Sequence, residues 1–226
     1  MLALAKPALD IGLSTNRWDA MRAFYVDELG LPYEELLPVG GGVRQHRLGL
    51  RGGVLKINDN RSPLGDEPTG YRRLLIADPT VDEPVTRNDP DGLAVTLVPP
   101  GHGGVEAVGF EVATSDPEAY RRFATEALGA TPIAEHTYQL ATTVIIVADA
   151  AAAPRAGAMN NVGFRYITVQ VRDVVAEHQR LVELGVEEAM APRKLGEVAM
   201  ISMVRDPGGN WIEISQRASL TGPLPD

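Results

Sequence analysis

Two segments of this chain match in constant register, and that repeat restricts the fold more than any other feature. The segments are "DAMRAFYVDELG" (Asp19 to Gly30) and "EAYRRFATEALG" (Glu118 to Gly129). They share Ala20/Ala119, Arg22/Arg121, Phe24/Phe123, Leu29/Leu128 and Gly30/Gly129, each pair 99 residues apart. Both have apolar positions three to four residues apart, which predicts an amphipathic helix. Gly30 and Gly129 suit the left-handed residue just past a helix end. A looser third copy is "VVAEHQRLVELG", Val174 to Gly185.

Each helix follows a short alternating segment: "ALDIGLST", "VGFEVATS" and "RYITVQVRD". Each is followed by more strand-like sequence, such as "VRQHRLGL" and "GVLKIND", "YQLATTVIIVAD", and "EVAMISMVRD" with "NWIEISQR". The unit is strand, helix, then two or three strands. A turn also repeats: "DPDGLAVTLV" (Asp89 to Val98) mirrors "DPGGNWIEIS" (Asp206 to Ser215). In Asp-Pro-x-Gly the Asp side chain bonds backbone amides, Pro fixes φ and Gly tolerates φ > 0. The prolines of "GYRRLLIADPTVDEPVTRN" argue against a helix there, so the second of four units is expected to be cut short. The Pro- and Gly-rich "VPPGHGG" marks the boundary between an N-terminal half, 1–100, and a C-terminal domain, 101–226. "AAAAP" at Ala150 to Pro154 reads as a joint between units three and four, and "SLTGPLPD" as a loose tail.

Paired strand–helix–three-strand units ending in a DP-x-G-N-x-x-E strand resemble the vicinal oxygen chelate superfamily, which includes glyoxalase I, extradiol dioxygenases and bleomycin resistance proteins. The residues that carry the resemblance are "DIGLSTNRWDAMRAFYVDELGL" and "RDPGGNWIEISQR". It implies an α+β fold of paired βαβββ modules with curled mixed sheets, each pair of modules forming a half-open cup. It also implies metal ligands on the first and last strand of each unit, since alternate strand residues face one way.

Carried over to this chain, those positions are Asp10 and Lys56 in the first unit, Arg72 and Thr96 in the second, Val108 in the third, and Tyr166 and Glu213 in the fourth. Only Glu213 keeps the family's usual ligand chemistry. The four histidines, His46, His102, His136 and His178, occupy none of these positions, and an ammonium at Lys56 repels a divalent cation. No cofactor is therefore expected, with a divalent metal such as Fe, Mn, Zn or Ni as the alternative. If units one and four share a cup, it gathers Asp10, Lys56, Tyr166 and Glu213. This set suits proton abstraction next to a carbonyl. Glu213 is the base, Lys56 and Tyr166 stabilise the developing oxyanion, and Asp10 orients Lys56. An ion pair filling a vestigial ligand site is the bland reading of the same residues. Trp211, His46 and Ser215 are candidate substrate contacts. His136 is a weaker candidate, and His178 on its helix reads as solvated.

The reading favours a lyase or isomerase acting on a small organic substrate. The alternatives are a metal-free drug- or metabolite-binding protein, a metal-dependent extradiol-type dioxygenase, and a non-catalytic scaffold. The net charge of −9 argues against nucleic acid and anionic membranes as partners, and the absence of cysteine excludes disulfides and thiol nucleophiles. With no signal-like start or spanning segment read in the sequence, a cytoplasmic monomer or homodimer is expected.

Overall fold

The computed structural model describes residues 2–150 and 155–225, so most of the expected joint at Ala150 to Pro154 lies outside the described residues. The first unit comprises β1 (Asp10–Thr15), α1 (Trp18–Arg22), β2 (Tyr33–Gly40), β3 (Val43–Leu50) and β4 (Gly53–Asn60). α1 runs on through a π-helical turn, Ala23–Glu28. The second unit holds β5 (Tyr71–Ala77), β6 (Val85–Asn88) and β7 (Ala94–Val98). The third holds β8 (Val108–Thr114), α2 (Pro117–Arg122), β9 (Thr131–Ala134), β10 (Thr137–Leu140) and β11 (Thr143–Asp149), with α2 extended by a second π-helical turn, Phe123–Ala127. The fourth holds β12 (Gly163–Gln170), α3 (Val174–Glu183), β13 (Glu187–Leu195), β14 (Ala199–Arg205) and β15 (Trp211–Arg217). The tail expected to be loose opens with one more helical turn, α4 (Ala218–Thr221).

Local chemistry explains these boundaries. Asp116 and Asp173 cap α2 and α3 by accepting from the amides of Ala119 and Ala176, at 2.8 and 3.0 Å. Gly30 and Gly129 close the repeated helices at φ +69° and +75°, where a side chain would be strained. The repeated turn is the same device twice. Asp89 Oδ1 accepts from the amides of Asp91 and Leu93, and Asp206 Oδ1 accepts from Asn210 N. The turns close through Gly92 N to Asp89 O and Gly209 N to Asp206 O.

Units one and four form an eight-stranded sheet in the order β13-β14-β15-β12-β1-β4-β3-β2. Units two and three form a seven-stranded sheet, β6-β7-β5-β8-β11-β10-β9. Sheet membership therefore does not follow the division of the chain at residue 100. In the larger sheet β1 runs parallel to β4, and β12 parallel to β15, while β1 and β12 meet antiparallel at its centre. The two opening strands are thus neighbours, flanked on either side by the two closing strands. Along β15, Ile212 and Ile214 are fully buried in the core, and strand alternation turns Trp211, Glu213 and Ser215 to the opposite face. Each such isoleucine contributes about 1.5–3 kcal/mol of burial, which fixes the register and so the direction of Glu213. The two sheets join through one core, where Phe164 stacks on Tyr71 at 4.3 Å and meets Phe110 edge-on. The other face of the smaller sheet carries an apolar cluster of Leu75, Ala77, Val98, Val105 and Val144, and Thr96 there bonds Thr86 at 2.9 Å. Among the described residues no helix is long and apolar enough to cross a membrane.

Candidate functional site

The chemistry-bearing side chains of the larger sheet converge where β4, β1, β12 and β15 lie side by side. Register sets the geometry. Gly12 pairs Lys56 in the first unit, and Thr168 pairs Glu213 in the fourth, so the two halves of the site are equivalent about the sheet centre. Lys56 Nζ donates to Glu213 Oε1 at 2.8 Å and to Thr168 Oγ1 at 2.7 Å. Thr168 also donates to Glu213 Oε1, at 3.1 Å. Asp10 Oδ2 stands 3.7 Å from Lys56 Nζ, close enough to act by charge but beyond a hydrogen bond. The four sequence-derived residues Asp10, Lys56, Tyr166 and Glu213 therefore share one compartment.

Burial shapes each group. For Lys56, burial alone would lower the pKa. The charge of Glu213, with Tyr166 and Asp10, outweighs it and holds the ammonium above the ordinary lysine value. For Asp10, burial alone would raise the pKa. Lys56 and Lys6, with hydrogen bonds from Lys6 and Gln170, prevail and keep the carboxyl below the usual carboxylate range. Asp10 is saturated: Oδ1 accepts from Lys6 at 2.6 Å and Val54 N at 3.0 Å, and Oδ2 from Gln170 at 3.0 Å. Glu213 is not, because its Oε2 has no hydrogen-bond partner among the described residues.

Tyr166 lies flat over Gly12, where a Cβ would collide with the ring. Its hydroxyl accepts from Asn58 Nδ2 at 3.2 Å and Gln45 Nε2 at 3.5 Å, which leaves its own proton free to donate. Burial pushes the phenol pKa up, so the proton is retained.

The other candidates divide. Trp211 and Ser215 lie on the Glu213 face. Trp211 Nε1 donates to Gly157 O, and the Arg205 guanidinium stacks on its ring at 3.9 Å. Ser215 is buried between Gln170 and Ile201. His46 does not join the cup: alternation along β3 turns it to the helix side, where it stacks on Trp18 at 3.5 Å and bonds the Tyr33 hydroxyl at 3.1 Å. His178, expected to be solvated, is buried, with Nε2 2.6 Å from Glu188 Oε2. Alternation from Glu213 and Lys56 was signal enough to find Arg217 and Asn58. Thr168, Gln45, Arg47 and Gln170 depended on register.

The donor set does not suit a divalent cation. Two carboxylates and a phenol remain once the ammonium of Lys56 holds one of the carboxylate oxygens, and that ammonium stands where a cation would sit. Among the described residues no group of three or more His, Cys, Asp or Glu side chains is arranged to hold a metal.

Residues 105–214 match the Glyoxalase/Bleomycin resistance protein/Dioxygenase superfamily, a span that includes α2, α3 and Glu213. No curated protein sequence matches the chain. Among solved structures, glyoxalase I from Zea mays is 14% identical, with 96% of this chain and 92% of that chain covered at a TM-score of 0.75. A Bacillus subtilis protein provisionally described as a dioxygenase is 12% identical over 96% of this chain and 86% of its own, with a TM-score of 0.70. The cppA protein from Streptococcus pneumoniae is 10% identical over 94% and 99%, with a TM-score of 0.54. Such low identities speak for the fold alone. The likeness in sequence to the Glyoxalase/Bleomycin resistance protein/Dioxygenase superfamily thus lies in residues 105–214, while the likeness in fold to glyoxalase I extends over nearly the whole chain.

Proposed function

We propose that the cup formed by units one and four abstracts a proton next to a carbonyl group of a small organic substrate, as a lyase or isomerase does, without a metal. The observation that carries this reading is the unequal use of the two Glu213 oxygens. Oε1 is held by Lys56 and Thr168, while Oε2 has no partner among the described residues, so the carboxylate is aimed and yet has an oxygen to offer as base. Among the described residues the third N–H of Lys56 makes no hydrogen bond and the phenolic proton of Tyr166 finds no acceptor. Both suit the oxygen on which negative charge develops when the C–H electrons move into the carbonyl. The proton passes to Glu213 Oε2. It returns at the neighbouring carbon in an isomerisation, or the electron pair expels a leaving group in a lyase.

The test is hydrogen wash-out. The protein is incubated in D2O with a panel of small carbonyl compounds, and loss of the acidic C–H is followed by proton NMR. Glu213→Gln keeps the shape of the side chain and removes the base, so wash-out is expected to fall by about 100-fold or more. Unchanged wash-out in that variant would leave the cup a binding site with a structural ion pair.

A further inference from the structure

We infer that the cup takes a carboxylate substrate, with Arg217 and Arg47 as the groups that hold its anionic end. This deepens the reading above and rests on the same cup being the substrate site. The inference starts from Arg217, the last residue of β15. Strand alternation places it on the face of Glu213 and Ser215. Its side chain is half-buried and makes no hydrogen bond or ion pair with any described residue. The charges that act on it are those of the cup: Arg47, Glu35, Asp10 and Glu213. Burial first, then the like charge of Arg47, lowers its pKa, and the three acids do not make up the difference.

Arg47 is itself only partly satisfied. Its Nε lies 2.9 Å from Glu35 Oε1 but off the hydrogen-bond direction, and its Nη1 donates to Gln45 Oε1 at 3.2 Å. Glu35 is 45% exposed at the side chain, so solvent weakens that pair. Two guanidinium groups thus face one space, repel each other and lack a full complement of acceptors. Half-buried cations in that state are stabilised by an added anion. The local charge agrees. Four cations, Lys6, Arg47, Lys56 and Arg217, gather with three acids, Asp10, Glu35 and Glu213, at this end of the cup, in a chain whose net charge is −9.

The chemistry selects a carboxylate over a phosphate. A planar guanidinium matches a carboxylate through two parallel N–H···O bonds. A dianion would meet Asp10 and Glu213 at greater cost than a monoanion. Glu213 and Arg217 are four residues apart on an extended strand, about 13 Å between their Cα atoms, and both side chains reach into the cup. The substrate class is therefore a carbonyl compound whose carboxylate lies several bonds from its acidic carbon.

The test is calorimetric titration at low ionic strength with the keto acids acetoacetate, levulinate and 5-oxohexanoate, with their neutral amides and with inorganic phosphate. Wild-type protein is expected to bind at least one of the keto acids and none of the amides. Arg217→Gln is expected to weaken that binding by about 10-fold or more, and Arg217→Lys to retain part of it. Since Arg217 has no partner to lose among the described residues, Arg217→Gln should melt at or above the wild-type temperature. Equal affinity in wild type and Arg217→Gln, binding of the amides as tight as that of the acids, preference for phosphate, or a lowered melting temperature in Arg217→Gln would each overturn the inference. Glu213→Gln separates the two proposals. Carboxylate binding should survive there while C–H wash-out is lost, and Arg217-dependent binding without any wash-out would remove the catalytic reading alone.

Discussion

Lys56 Nζ lies 2.8 Å from Glu213 Oε1, although 157 residues separate the two in the chain. The pair closes the centre of a sheet assembled from the first and last units, and its side chains are only 4% and 12% exposed. Removing one partner leaves a buried charge without compensation, which is worse than removing both. Lys56→Met should destabilise the protein by ~3 kcal/mol in urea unfolding, and Lys56→Met with Glu213→Gln by clearly less. The folded pKa of Lys56 is raised, so the stability it contributes is present below the ordinary lysine value and is lost as pH rises beyond it. The difference between wild type and Lys56→Met should therefore be flat through neutral pH and shrink only in strong alkali. Equal losses in the single and double variants would mean the two groups are not coupled.

The same position decides the metal question. Lys56→Glu replaces the ammonium with a third carboxylate beside Asp10 and Glu213, a set that hard divalent cations accept. That variant should be less stable than wild type when free of metal, and Mn²⁺ or Zn²⁺ should raise its melting temperature while leaving wild type unmoved. A wild-type protein stabilised by the same ions would refute the argument from the donor set.

Gly12 makes room for the ring of Tyr166. Gly12→Ala should displace that ring, loosen its hydrogen bonds to Asn58 and Gln45 and cost ~1–3 kcal/mol of stability. The larger effect is expected on wash-out, because the Tyr166 proton leaves its place. Tyr166→Phe should reproduce the loss of wash-out with little loss of stability, and failure to do so would argue against Tyr166 as a donor.

Asp206 is buried in the turn before β15, with a pKa pushed up to about 6 by burial, against hydrogen bonds from Asn210. The folded state binds this proton more tightly than the unfolded state does. Stability from the protonated form is therefore present below about pH 4 and is lost as pH rises through 6, a cost on the order of 3 kcal/mol. Asp206→Asn keeps an acceptor for the Asn210 amide and removes the titration. The difference in unfolding free energy between variant and wild type should shift in favour of the variant across pH 4 to 6. A constant difference would show that Asp206 titrates normally.

The repeat, the strand–helix units and the Asp-Pro-x-Gly turns were legible because each depends on contacts within a few residues: apolar alternation, a cap, a glycine at positive φ. The placement of Glu213 opposite Ile212 and Ile214 was legible for the same reason. The expected solvation of His178 and site role of His46 failed because both histidines depend on what an element packs against. Tertiary contacts put His178 against Glu188 and His46 against Trp18.

The linear chain determined which residues alternate on each strand and where each unit begins and ends, since those follow from local backbone geometry. It could not determine that Thr168 bridges Lys56 to Glu213, that Asn58 and Gln45 both donate to the Tyr166 hydroxyl, or that Arg217 faces Arg47 with no side-chain partner among the described residues. Those relationships exist only after strands far apart in sequence pair in one register. A shift of one residue would turn every one of these side chains to the other face of the sheet.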